Sequence, residues 1–313
     1  MTTIFFICLI SSVLISIILA QSSYLGIDYQ SKIQKIHDIK SVRLGGISIF
    51  ISLLFGIVIT NIEIFLNNFL TFSLLFLILL VGVVEDLTSR VNANKRLILL
   101  SIISFFFVYF NETNINLIRF NNEEVFQLAT FLAVIVSLFL FVCTVNAFNI
   151  IDGINGLTSG HAITIFYALL LNNYLHNTDI MNQFLFIALG STFGFWIVNI
   201  ITGRIFLGDG GSYLLGALCL YSGIEYYNSN ENTGFLLLAI IFIYPACELT
   251  STCLYRLLDK RNLFHPDDKH LHSILFRKLK NTLNYNNTII NSLSGFSLNL
   301  LNLVVVSFCI IFY

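Results

Sequence analysis

The sequence predicts an all-α integral membrane protein. Three observations carry that reading: few charges in an apolar composition, ten apolar stretches of roughly spanning length, and cations confined to one side. Of 313 residues, 57% are hydrophobic and 11% charged, with a mean hydropathy of +0.85; a soluble domain carries about 25% charged residues. A helix needs roughly 20 apolar residues to cross a hydrocarbon core of about 30 Å. Such stretches fall near 3–20, 45–66, 69–84, 97–110, 126–147, 157–172, 182–201, 211–227, 234–255 and 290–313. The shorter ones need tilt or flanking residues to complete a crossing. The first stretch ends in small residues, as a cleaved signal peptide would. No positive segment precedes it and many more stretches follow, so it reads as a span.

With ten alternating spans, one side receives the loops 21–44, 85–96, 148–156, 202–210 and 256–289, which hold 15 of the 16 Lys+Arg. Only Arg119 falls on the other face. Cations accumulate in cytoplasmic loops, so both termini are expected outside and the five loops inside. Glu63, Glu112, Glu123, Glu124, Asp179, Glu225 and Glu231 lie on or near the outer side. The basic inner face serves as a topology signal and also suits anionic head groups and phosphate substrates. The six cysteines sit in apolar runs without zinc-type spacing and read as small buried hydrophobes. Without a repeat of 20–50 residues or a long linker, residues 1–313 read as one polytopic domain.

The polar islands gather on the inner side. Glu85 and Asp86 end the third stretch; on a helix they point about 100° apart, so they serve different partners or are simply solvated. Asn146, Asn149, Asp152 and Asn155 recur every third residue, which predicts a polar stripe along a helix end. Such a stripe lines a wet cavity or forms an interhelical network. "FLGDGGS", residues 206–212, lacks the Gly-Lys-Ser/Thr ending of a P-loop. A hard cation such as Mg²⁺ is held by one or two carboxylates plus substrate phosphate oxygens, a task that suits Asp209 with Ser212 beside it; Asp209 as a helix N-cap is the other reading. His265, His270 and His272 with Asp267 and Asp268 fill the longest inner loop. His-x-His aligns both rings only in an extended segment, where the imidazoles can take a pyrophosphate or a metal; zinc would need more ligands than gather there.

In this order, the islands resemble the polyprenyl-phosphate N-acetylhexosamine-1-phosphate transferase family (glycosyltransferase 4 family) over roughly residues 35–280. "HDIKSVRLGGISIF" is similar to its first inner loop, with Arg43 before Leu44-Gly45-Gly46, and "VVEDLTSRV" stands where the family usually has two aspartates. Glu85 replaces the first of them. "NAFNIIDGINGL" resembles the Asn-x-x-Asn-x-x-Asp-Gly-x-x-Gly-Leu segment, with Asn155 where an aspartate is common. The resemblance implies Glu85, Asp86 and Asp152 as catalytic residues, Asp209 on the metal (Mg²⁺, or Mn²⁺ in its place), and Asn199, Phe206, Gly208 and Ser212 around the nucleotide. Arg43, Asn149, His270 and His272 complete the implied substrate site. "PDDKHLHS" resembles the WecA-like His-x-His-His loop, with Ser273 at the last position, rather than the Pro-x-His-His-His-Phe-Glu run of the MraY type.

The implied reaction is attack by a lipid phosphate oxygen on the sugar-bearing phosphorus of a UDP-N-acetylhexosamine. The acceptor is undecaprenyl (polyprenyl) phosphate in a bacterial inner membrane, UMP leaves, and the product starts a surface polysaccharide such as O-antigen. Beyond these substrates and membrane lipids, no nucleic acid partner is expected, and a homodimer stays open. A polytopic transporter is the alternative function, since ionisable residues near helix ends also mark solute paths. A CDP-alcohol-type phosphotransferase would carry Asp-x-x-Asp-Gly-x-x-Ala-Arg, which is absent from the sequence.

Overall fold

The computed structural model describes residues 1–21, 41–120, 125–231, 233–260 and 269–312. Lys32, Lys35, Lys40, Glu123, Glu124, Arg261, His265, Asp267 and Asp268 lie outside these described residues. The chain is mostly helical, in the order α1 (Thr2–Ala20), α2 (Gly45–Thr60), α3 (Ile62–Asn67), α4 (Phe69–Thr88), α5 (Ala93–Phe110), β1 (Leu117–Arg119), β2 (Val125–Gln127), α6 (Thr130–Ile151), α7 (Leu157–His176), α8 (Asn182–Thr202), α9 (Gly208–Ser229), α10 (Phe235–Ile241), α11 (Ile243–Leu258), α12 (Leu271–Thr282) and α13 (Asn287–Phe312). Six of these helices, α1, α4, α5, α6, α8 and α13, are long and apolar enough to cross a membrane. The pair α10 and α11, bent by 68°, passes as a seventh. Many of their apolar side chains, among them Ile18, Phe131, Phe139 and Leu301, are exposed, as expected where lipid is the solvent.

Four expectations change. The all-α class stands, but a short two-stranded antiparallel hairpin, β1 with β2, occupies the start of the fifth stretch, which becomes helical only at Thr130. The second stretch breaks at Asn61, whose side chain accepts from Glu63 N–H at 2.8 Å and starts α3 afresh. The ninth stretch breaks at Phe242. The every-third-residue stripe does not stay on one helix, because α6 ends at Ile151 and Asp152 caps it. Asn155 then turns to α13, its N–H on Asn291 Oδ1 at 2.6 Å.

The helix α9 is the axis of the bundle and is buried along most of its length, packed by α2, α4, α6 and α7. Its first turn is approached through glycines. A Cβ on Gly82 of α4 would collide with the Gly210 backbone, and one on Gly46 of α2 would collide with Gly211. Glycine therefore sets the interhelical distance. Between α1, α2 and α8 the contacts are small and polar: Ser12 donates to the Ser191 carbonyl at 2.6 Å and Ser52 to the Cys8 carbonyl at 2.7 Å. Such bonds replace the hydrophobic drive that lipid removes.

The far end of α9 holds Arg119, the one cation that the sequence pattern assigns to the opposite face. Arg119 N–H donates to the Tyr227 hydroxyl at 2.8 Å, its guanidinium bonds the Tyr227 carbonyl, and that group lies 4.1 Å from the ring centroid. Arg119 is thus a buried clasp between hairpin and helix. Tyr227 stands 18 residues beyond Asp209, about 27 Å along the axis at about 1.5 Å per residue, so the clasp and the polar islands occupy opposite ends of the bundle.

Candidate active site

The polar islands converge where the start of α9 meets the ends of α4 and α6 and the starts of α2 and α5. Two loops first have to be joined. Val42 N–H donates to the Arg204 carbonyl at 3.0 Å, Phe206 N–H to the Val42 carbonyl at 2.7 Å, and Gly45 N–H to the Phe206 carbonyl at 2.9 Å. This short parallel bridge brings Arg43 beside the residues that open α9. Asn199 is buried beneath it and donates its amide to the Ile205 carbonyl at 2.6 Å. It shapes the loop that carries the half-buried Phe206.

Gly208 then turns the chain with φ +76°, a left-handed conformation that glycine adopts without penalty. A Cβ there would also meet the Asp86 carboxylate at 2.6 Å. Asp209 lies in the first turn of α9 and does not cap it; Leu207 stands at the N-cap and its side chain makes no capping bond. The Asp209 carboxylate accepts from the Asn149 amide at 3.1 Å and from the Arg96 guanidinium. The same Asn149 amide reaches Ser212 Oγ at 3.1 Å, and that hydroxyl donates to the Asp209 carbonyl at 3.0 Å. Arg96, Asn149 and Ser212 thereby fix the acid in one orientation.

Asp86 is buried against this turn. Its Oδ2 accepts from Gly210 N–H at 3.1 Å, at the positive end of the α9 dipole. Its Oδ1 is buried without a hydrogen bond among the described residues, with the Arg43 guanidinium at 3.6 Å. The neighbouring Glu85 bonds a different partner: Oε2 accepts from Val91 N–H at 2.8 Å, closing the turn in which Ser89 takes φ 51°, while its charge still reaches Arg96. Asp152, just past α6, is near enough to feel the charges of Asp209 and Arg43. Removal from water pushes its carboxyl up to about 7, and the Asp209 charge pushes the same way.

The histidines join from α12. His270 occupies its extended N-cap position and His272 its first turn, so the rings come parallel, 5.2 Å apart at 5°. One ring leaves an extended residue and the other a helical one, a geometry intermediate between those the His-x-His spacing offers. His272 is buried beside Gly153, where any side chain would run into its ring.

Arg43, Asp86, Asn149, Asp152, Gly208, Asp209 and Ser212 are therefore brought together, with His272 at the edge of the cluster. Glu85 and Asn199 instead build the turns around it. Two participants carry no motif of their own. Arg96 reads in sequence as a topology cation; the signal is its place one turn inside an apolar helix. Glu248 of α11 is a lone acid in an apolar run, a pattern that marks function by default.

Among the described residues, no three metal-ligating side chains converge on one point. A cation here would have to complete its shell with substrate oxygens, as Mg²⁺ does. The hard oxygens of Asp209 and the unbonded Oδ1 of Asp86 fit that donor chemistry.

The profile of glycosyl transferase family 4 matches residues 68–226, just over half of the chain and including the Glu85, Asp152 and Asp209 islands. An undecaprenyl-phosphate alpha-N-acetylglucosaminyl 1-phosphate transferase of Thermotoga maritima is 30% identical over 237 residues, 75% of this chain and 68% of that protein. A probable undecaprenyl-phosphate N-acetylglucosaminyl 1-phosphate transferase of Bacillus subtilis is 25% identical over 76% of this chain and 66% of its own length. A phospho-N-acetylmuramoyl-pentapeptide-transferase of Borreliella burgdorferi is 28% identical over 73% of this chain and 72% of that protein. By the profile match and by these relatives, this multi-pass membrane chain belongs to glycosyl transferase family 4.

Proposed function

We propose that this chain transfers N-acetylhexosamine 1-phosphate from a UDP-sugar, UDP-GlcNAc or a close relative of it, to undecaprenyl phosphate, releasing UMP. The observation that carries this reading is the convergence of two arginines, Arg43 and Arg96, with Asp86, Asn149 and Asp209 at the start of α9. A transporter does not need cations and acids locked together at one end of the bundle; a reaction between two anions does.

In the reaction, an oxygen of the lipid phosphate bonds to the sugar-bearing phosphorus, the bond from that phosphorus to the bridging oxygen breaks, and the electron pair leaves with UMP. A phosphate monoester has a second pKa of about 6, so the nucleophile is largely ionised at neutral pH. The demand on the protein is positioning and charge neutralisation. Arg43 and Arg96 supply fixed positive charge beside the diphosphate. Asn149 and Ser212 hold Asp209, Asp86 secures the α9 turn through Gly210 N–H, and Phe206 and Gly208 form the loop against which the nucleotide rests. Asp209, with Asp86 beside it, would hold a divalent cation, Mg²⁺ or Mn²⁺, whose chemistry is to draw charge from the phosphate oxygens.

The sidedness of the cations supports ten crossings, with α7 and α9 enclosed by the more apolar helices, both termini outside, and the site on the cytoplasmic face of a bacterial inner membrane. The product would open a lipid-linked surface polysaccharide. Purified protein incubated with undecaprenyl phosphate and a panel of UDP-N-acetylhexosamines is expected to release UMP with at least one of them. Release with none, from folded protein supplied with Mg²⁺ and Mn²⁺, overturns the reading.

A further inference from the structure

Glu248 lies within α11 at 6% exposure. A buried acid in an apolar helix is costly unless something uses it. Both of its oxygens are engaged on the start of α12: Oε1 accepts from Leu271 N–H at 3.0 Å, and Oε2 lies 3.2 Å from His270 Nδ1. Thr252, one turn further along α11, places its hydroxyl 3.4 Å from the same nitrogen. The His270 ring stacks on His272, and His272 packs against Gly153, next to Asp152. A continuous line of contacts thus runs from Glu248 through two imidazoles to the α6–α7 turn. With Nδ1 held by a carboxylate, an imidazole has its ring orientation fixed and Nε2 presented to the site.

We propose that Glu248 is a positioning residue for the transfer, fixing His270, and through the stacked ring His272, against the Asp152–Gly153 turn so that the pair faces the diphosphate of the sugar donor. The ligand in this inference rests on the transferase reading above; the contact between Glu248 and the histidines does not.

Glu248→Gln keeps an oxygen for Leu271 N–H and removes the charge facing His270, whereas Glu248→Ala removes both. Full-length wild type and variants, purified in detergent, are treated with diethyl pyrocarbonate, and carbethoxylation of each histidine is timed by mass spectrometry with the exposed His176 as internal reference. His270 and His272 are expected to react severalfold faster in both variants while His176 keeps its rate. In the UMP-release assay, kcat of Glu248→Gln is expected to fall at least about tenfold, within the roughly hundredfold that a misplacement of about 1 Å can cost, with the KM for the lipid acceptor unchanged. A purely structural acid would leave the Gln variant, with its helix cap kept, near wild type. Unchanged histidine reactivity in both variants, or a Gln variant that turns over at the wild-type rate, overturns the proposal. A wild-type chain that releases no UMP overturns the proposed function instead; the carbethoxylation arm needs no turnover and then decides the Glu248 contact alone.

Discussion

The Arg96 guanidinium on α5 bonds the Asp209 carboxylate on α9 across 113 residues of sequence. Both side chains keep 20% exposure, so the pair faces the open side of the site. Arg96 neutralises the acid that the reaction would lend to a cation. Arg96→Gln is expected to lower kcat for UMP release by at least about tenfold, or roughly 1.4 kcal/mol, without raising the Mg²⁺ concentration needed for half-maximal rate. A variant that needs more Mg²⁺ and keeps its kcat would show that Arg96 serves the metal site and not the phosphates.

Asp209→Asn preserves shape and the Asn149 contact but removes the negative charge a hard cation requires. Turnover should fall below about a tenth of wild type, a loss of more than roughly 1.4 kcal/mol, with an unchanged melting temperature. Activity above that level would remove Asp209 from the metal role.

The two neighbouring acids should part company. Asp86 is confined between Gly208 and Gly210 N–H, so Asp86→Glu pushes its carboxylate by about 1 Å into a space already filled, with a loss of up to roughly a hundredfold. Glu85 makes its bond to a turn; Glu85→Asp should cost about 1 kcal/mol of stability and less activity than Asp86→Glu or Asp152→Glu. The order is read from UMP release at saturating Mg²⁺, and the reverse order would place Glu85 among the reacting groups.

Gly82→Ala tests whether close approach of α4 and α9 builds the site. The added methyl would collide with the Gly210 backbone, which cannot yield as a side chain can, so a stability loss of about 1–3 kcal/mol is expected, together with loss of activity. At Gly223, further along α9, the nearest atom is the end of the Leu238 side chain at 3.1 Å, and Gly223→Ala should melt close to wild type. Equal melting temperatures for the two variants would refute the contact.

Sidedness is tested with single cysteines in a background lacking the native six. Positions 94 and 278 should react only with reagents that reach the cytoplasm, and positions 112 and 116 from outside; all four are exposed. Labelling of position 278 in intact cells by an impermeant reagent would overturn the proposed orientation.

The sequence by itself determined the class of molecule and where along the chain its polar residues gather. Apolar runs and one-sided cations follow from the free energy of placing each residue type in hydrocarbon or at its edge, which is local and survives any particular packing. Asp86, Asn149, Asp152 and Asp209 were legible for the same reason, as polar residues at the ends of apolar runs, while Arg43 was singled out only by the family resemblance. What only the tertiary structure decided was partnership. No spacing links Arg96 to Asp209 or Glu248 to His270, because each pair forms between different helices that meet only in the folded bundle. Local patterns likewise could not foresee that the stripe ending in Asn155 breaks at Ile151, or that Arg119 is buried on Tyr227. A helix ends, and a charge becomes affordable, where its neighbours supply the missing bonds, and those neighbours exist only once the bundle has closed.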